Sequence, residues 1–397
     1  MTLIGLVGLL ISIAGFRFAR VFEARSRMVL FVMLLLAHIG ASVAYYLYAQ
    51  EFGGDVSLYY YDQLGIYGNG SGLSTVFVVN LVQFLKEYFG GTFFDYFLLF
   101  QATGFWGILF ILRTFDDIHE ELGQPILSRV YLLLFLPGLH FWTSAIGKDS
   151  LIFLGVAMCT WAAFRLPRRY LAFGAGLTIA LLVRPHIALI ALIALSMTVA
   201  FARGTSLLTR GALLAVVLAG VVSVGGLVQD SLPGLNISNK DSVTEFIETK
   251  SSVSEESGGD VSIIGASFPV KLISLLFRPF FIDATGLLGY VASLENVVLL
   301  VLIVSLAWSF RTSLAVARAA MFARFAGLFF ILLTILLAMV NYNVGLGLRQ
   351  KMMMMPALLV FFAALLAVRA TRKQMVYGPG PAAYAGAPVA VQTYRRA

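Results

Sequence analysis

The sequence predicts an all-α polytopic transmembrane helical bundle of about eleven spans, and three observations carry that prediction. Hydrophobic residues make up 60% of the 397-residue chain and charged residues only 12%, with a mean hydropathy of +0.90. A soluble chain needs roughly a quarter of its residues charged to cover its surface, so lipid is the outer solvent here. Apolar runs recur between short charged segments, and in hydrocarbon a helix satisfies its own backbone. Finally, the basic residues segregate into alternate loops.

Taken in order, the apolar runs place spans near 2–16, 28–49, 93–112, 130–146, 150–164, 170–183, 187–202, 211–228, 286–308, 325–343 and 353–368. The first has no basic stretch before it and no convincing cleavage pattern, so it reads as a retained reverse anchor. Several runs fall short of the roughly 20 residues that a straight crossing needs, which requires flanking arginines to snorkel. With loop 17–27 inside, alternation collects 19 basic and 5 acidic residues on the inner face and leaves 9 basic and 15 acidic outside. Positive loops mark the cytoplasmic side, so the predicted topology is N-out, C-in. The formal net charge of +8 thereby reads as a topology signal and not as a nucleic-acid surface.

This gives one transmembrane domain, 1–373, with outer loops at 50–92 and 229–285, and a low-complexity cytoplasmic tail, 374–397, that cannot bury a core. Within the second loop, 229–270 is acidic and rich in Ser and Gly, and is expected to be mobile until substrate binds. Residues 75–90 form an amphipathic helix on the outer surface. The single cysteine, Cys159, excludes an internal disulfide framework.

Polar residues unusual for a membrane protein gather on the outer side, which points to a site there. A helix starting at Asp55 puts Asp55, Tyr59 and Asp62 on one face, two carboxylates beside a ring. A carboxylate can accept the proton of an attacking hydroxyl or hold a divalent cation, and a tyrosine can stack on a sugar. The alternative is that Asp55 caps an interfacial helix and the tyrosines form an aromatic belt. Lys148 lies beside a helix start at Asp149 or Ser150, where an anion could bind or Asp149 could merely cap. Arg184-Pro185-His186, Arg278-Pro279-Phe280 and Arg349 bring three arginines to the face that the charge rule should deplete. Their planar forks match phosphate oxygens, although a lone arginine at a span end also anchors to headgroups.

Other chemistries lack their patterns. His38, His119, His140 and His186 are scattered without metal-ligand spacing, and no P-loop, dinucleotide fingerprint or nucleophile elbow occurs.

Several of these segments resemble known families. The acidic first outer loop with its interfacial helix looks like the GT-C class of membrane glycosyltransferases. Phe141-Trp142-Thr143-Ser144…Gly147-Lys148-Asp149, Arg278-Pro279-Phe280 with Ser293-Leu294-Glu295-Asn296, and Arg349…Pro356 are similar to bacterial exopolysaccharide and O-antigen polymerase-like proteins. The resemblance spans residues 28–368 and rests on topology and short motifs. It implies a multi-pass enzyme of the bacterial inner membrane that moves glycan from a polyprenyl phosphate or diphosphate to an acceptor hydroxyl at the outer face. In that scheme Asp55 and Asp62 are the catalytic candidates, and Arg184, Arg278, Arg349 and Lys148 hold phosphate. Tyr59, Trp142 and His186 contact glycan. A divalent cation is a possible cofactor; membrane lipids and other polysaccharide-assembly proteins are possible partners. The competing classes are a flippase for lipid-linked glycan and a non-catalytic scaffold. The cytoplasmic half of the spans looks nearly free of ionisable groups, which argues against a flippase. The sequence also departs from GT-C proteins in its extra span before the acidic loop, and from O-antigen polymerases in lacking a second long outer loop.

Overall fold

The computed structural model describes residues 2–68, 72–122, 128–202, 206–231, 263, 265–341 and 343–377. Helix accounts for 84% and no strand occurs among the described residues. Large apolar side chains such as Leu36, Leu171, Ile282 and Trp308 stand on the outside, the coat expected where the surrounding solvent is lipid. Five helices are long and apolar enough to cross a membrane, or six if a bent pair counts as one span, which suggests a membrane protein.

The chain opens with α1 (Leu3–Ala14), at 12 residues too short to cross by itself, and a 3-10 turn at Val21–Glu23. Then come α2 (Arg25–Phe52), the short α3 (Asp55–Tyr61) and α4 (Thr75–Phe89), the last lying where the amphipathic helix is expected. α5 (Phe93–Leu122) is the central post, most of it buried among α1, α2 and α7. A 3-10 stretch (Ser128–Phe135) and α6 (Pro137–Thr143) precede α7 (Lys148–Phe164), α8 (Leu166–Val183), α9 (Pro185–Ala200) and α10 (Leu207–Ser231). The last third holds α11 (Phe268–Phe277), α12 (Gly286–Trp308), the amphipathic α13 (Phe310–Ala319) and α14 (Met321–Val340). It ends in α15 (Val344–Gln350), a 3-10 turn (Lys351–Met353) and α16 (Met355–Tyr377).

Small residues set the closest crossings. A Cβ on Gly155 would sit 2.8 Å from the Gly176 carbonyl oxygen, and one on Gly176 would sit 2.6 Å from that of Gly155, so α7 and α8 touch backbone to backbone. α8 bends at Arg169, whose backbone leaves helical geometry, and beyond it only Tyr170–Val183 remains as a lipid-facing apolar rod.

The architecture departs from the sequence prediction in several places. The expected span 130–146 is instead the 3-10 stretch and α6, because Pro137 supplies no N–H to continue a helix from Phe135. The expected inner loop 113–129 is helical to Leu122: α5 carries Arg113, Asp116 and Asp117 into the core, where opposite charges meet them. The expected last outer loop, 344–352, is instead α15 and the 3-10 turn, bent by 57° from α16, which holds the expected final span 353–368 almost entirely. α11 and α13 were not expected, and α16 continues through residues 374–377 assigned to the tail. Most of 229–270, and the tail beyond Tyr377, lie outside the described residues.

Candidate functional site

Four separate segments deliver charge to one place at one end of the bundle. Gly53 and Gly54, both with positive φ, turn the chain from α2 into α3 and put Asp55 at its start. Gly147 (φ 143°) performs the same turn into α7, and a Cβ there would lie 2.8 Å from the Tyr59 ring, so α3 packs directly on the entry to Lys148 and Asp149. Pro185 opens α9 without wasting a donor, which fixes Arg184 just ahead of it. Asn343 caps α15 by accepting the Leu346 N–H (2.6 Å), and Arg349 follows in the last turn of that helix.

Arg349 bridges two carboxylates. Its Nη1 donates to Asp55 Oδ2 (2.6 Å) and its Nε to Asp149 Oδ2. Arg184 Nη2 donates to the other Asp149 oxygen (3.2 Å), while its buried Nε has no partner. Lys148 Nζ reaches Ser74 Oγ at 3.2 Å. The side chain of Asp149 is 8% exposed and that of Asp55 51%, so one carboxylate is internal and the other faces solvent. Burial opposes the charge on Asp55, but Arg349, with Lys148 and Arg184, outweighs it and holds the carboxyl below the usual aspartate range. Burial and the neighbouring Arg184 and Arg349 together pull the Lys148 ammonium down to about 8, against Asp55 and Asp149. Three cations facing two carboxylates leave an excess of one positive charge, a setting for an anionic ligand with two or more oxygens.

Of the sequence-predicted residues, the structure assembles Asp55, Lys148, Arg184 and Arg349, with His186 within electrostatic reach of Arg184 and Lys148. Tyr59 is present but 2% exposed, its ring spent on Gly147, so it is a packing residue here and not a sugar platform. Burial, followed by the nearby Asp55, pushes its hydroxyl pKa up. Asp62 is not at the site: α3 ends before it, its backbone turns left-handed (φ 49°), and its oxygens accept the N–H groups of Ile66 (2.8 Å) and Tyr67 (3.1 Å). The three-residue face expected for Asp55, Tyr59 and Asp62 therefore loses its third member. Arg278 pairs with Asp283 (2.5 Å) in its own loop. Trp142 stands behind the cluster in an aromatic wall with Phe141 and Tyr45. Asp149, which the sequence offered only as a cap, is the residue that joins the two arginines. Its signal was the adjacent Lys148-Asp149 pair entering an apolar run. The two carboxylates share a guanidinium, and no group of three or more His, Cys, Asp or Glu side chains that could hold a metal occurs among the described residues.

A second charged cluster occupies the opposite end of α7. Arg169 donates to Asp117 (2.6 Å) with its guanidinium 4.0 Å over Trp161, Arg27 pairs with Asp116, and Arg113 lies within 3.6 Å of both aspartates. Seventeen residues of α7 separate the two ends, about 25 Å at the helical rise. No family model, curated protein or solved structure matches the chain.

Proposed function

We propose that the chain is a multi-pass membrane glycosyltransferase or polysaccharide polymerase, N-out and C-in in the bacterial inner membrane, with the number of crossings, about eleven, that the sequence predicts. It would move glycan from a polyprenyl phosphate or diphosphate to an acceptor hydroxyl at the outer face. The observation that carries this reading is the convergence of Asp55, Lys148, Asp149, Arg184 and Arg349 from four segments. In the resting arrangement the carboxylates stand where phosphate oxygens would. An incoming phosphate competes with Asp55 for Arg349, and Asp55, released from its partner, regains proton affinity. The acceptor oxygen then bonds to the anomeric carbon, the bond from that carbon to the phosphate oxygen breaks, and the hydroxyl proton passes to Asp55. Arg349, Arg184 and Lys148 take up the charge developing on the departing phosphate. Lipid-linked glycan and membrane lipids are the partners this reading requires, and other polysaccharide-assembly proteins are compatible with it.

A carrier of lipid-linked glycan is the second reading, and a specific observation favours it: Asp116 and Asp117 are buried with arginines at the other end of α5 and α7, where the sequence predicts few ionisable groups. One substitution separates the two. In a transferase, Asp55→Asn stops chemistry and lets unprocessed lipid-linked substrate build up on the outer leaflet. Build-up on the inner leaflet instead selects the carrier, and unchanged surface glycan removes Asp55 from the mechanism.

A further inference from the structure

Away from the charged cluster, Glu295 of α12 and Lys351 at the break between α15 and α16 are 4% and 1% exposed. Each of the other buried carboxylates has a guanidinium partner or several donors, although Asp116 Oδ2 and Asp117 Oδ1 also lack a hydrogen bond. Asp116, Asp117 and Asp149 meet guanidinium groups, and Asp95 accepts from Thr2 N, Thr92 N and Thr92 Oγ1. Glu295 receives one donor, the Gly138 N–H at 2.7 Å, and its Oε1 is buried without a partner. Lys351 Nζ finds one acceptor, Asn296 Oδ1, whose own amide is tied to the Pro279 carbonyl (2.8 Å). No salt-bridge contact joins the two side chains among the described residues. An ammonium has three donors and a carboxylate two acceptor oxygens, so as ions both are short of partners where burying a charge is most expensive.

We propose that Glu295 and Lys351 form a buried proton-binding pair, with the proton resident on Glu295 in this packed state. The Lys351 N–H bond breaks and a Glu295 O–H bond forms, which leaves a neutral amine and a neutral acid and the same net charge. The surrounding groups permit this. Lys351 is the charged side chain acting on Glu295; His140, on α6, turns its ring to His38 (Nδ1 to Nδ1 3.1 Å), and Arg349, on α15, is committed to Asp55 and Asp149. The pair sits where the helix bends, between α6, α12 and α15. This inference does not depend on the transferase reading.

Infrared spectroscopy of the full chain in lipid nanodiscs at neutral pH tests it. The expected result is a protonated-carboxyl C=O band that shifts in D2O and is missing from Glu295→Gln, whose amide oxygen can still accept from Gly138. Absence of the band, or its survival in Glu295→Gln, overturns the proposal. If Glu295→Gln does not fold, Lys351→Met decides: a neutral acid needs no counter-charge, so this variant must fold and keep the band, whereas its failure to fold indicates a fixed ion pair and also overturns the proposal.

Discussion

Arg349 holds one carboxylate inside the protein and one at its surface, so neutralising each in turn separates folding from function. Asp149→Asn keeps the shape of the side chain but removes the charge that faces both Arg184 and Arg349 at a site 8% exposed. Removing one partner of a buried pair costs about 3–5 kcal/mol. Arg349 keeps Asp55, which puts the loss at the lower end, about 3 kcal/mol. Asp55 is 51% exposed, and a pair screened by solvent contributes about 0–1 kcal/mol. The two variants should therefore differ by about 2 kcal/mol, roughly 30-fold in the unfolding equilibrium. The protein carries its own reporter: Cys159, the single cysteine, is buried in α7 and becomes reactive to a fluorogenic maleimide only on unfolding. On heating, Asp149→Asn should expose Cys159 well before the parent protein, and Asp55→Asn close to it while glycan output is lost. Equal destabilisation by both, or none by Asp149→Asn, would refute the division of roles.

Three further outcomes are expected. Cysteines placed at Ser57 and Ser254 should react with an impermeant reagent in intact cells and one at Ser206 should not; labelling of Ser206 alone reverses the topology. Arg349→Lys should lose most activity, since one compact ammonium cannot stand at both the Nε and the Nη1 positions from which the guanidinium reaches Asp149 and Asp55, whereas Arg278→Lys, which need only keep Asp283, should retain most of it; surface glycan measured in both strains checks the contrast. Lys148 is charged below about 8 and neutral above, so binding of a lipid diphosphate should weaken as the pH rises through that value. Lys148→Arg should flatten the profile in a binding titration, and a step that persists in the arginine variant assigns it to another group.

The helical class was legible because apolar composition and charge spacing are properties of segments, and α2, α12 and α14 fall near the runs that announced them. The helix α4 was legible for the same reason. What misled was the assumption that charge ends a span. Arg113, Asp116 and Asp117 continue α5 because their partners arrive from Arg27 and Arg169, residues remote in sequence, and no local pattern reports that meeting. The same limit applies to the site. Asp55 and Arg349 are 294 positions apart, and each could be nominated only by its type. Asp62 failed on a local matter, one left-handed residue that turned its carboxylate onto its own loop.

The bend in α8 bears on the lipid around it. Tyr170–Val183, fenced by Arg169 and Arg184, spans about 21 Å, against a hydrocarbon thickness of about 30 Å. A membrane-crossing rod that short would be mismatched to the bilayer, and thinning beside it, together with snorkelling of Arg169 and Arg184, would relieve the mismatch. Since Arg184 ends that rod and belongs to the charged cluster, a leaflet thinned there would bring its headgroups toward Lys148 and Arg349. On the transferase reading, a lipid-anchored phosphate in the leaflet would thus be carried down to the level of Arg184, Lys148 and Arg349 by the shape of the membrane itself, and shortening the acyl chains of the host bilayer should make that approach easier.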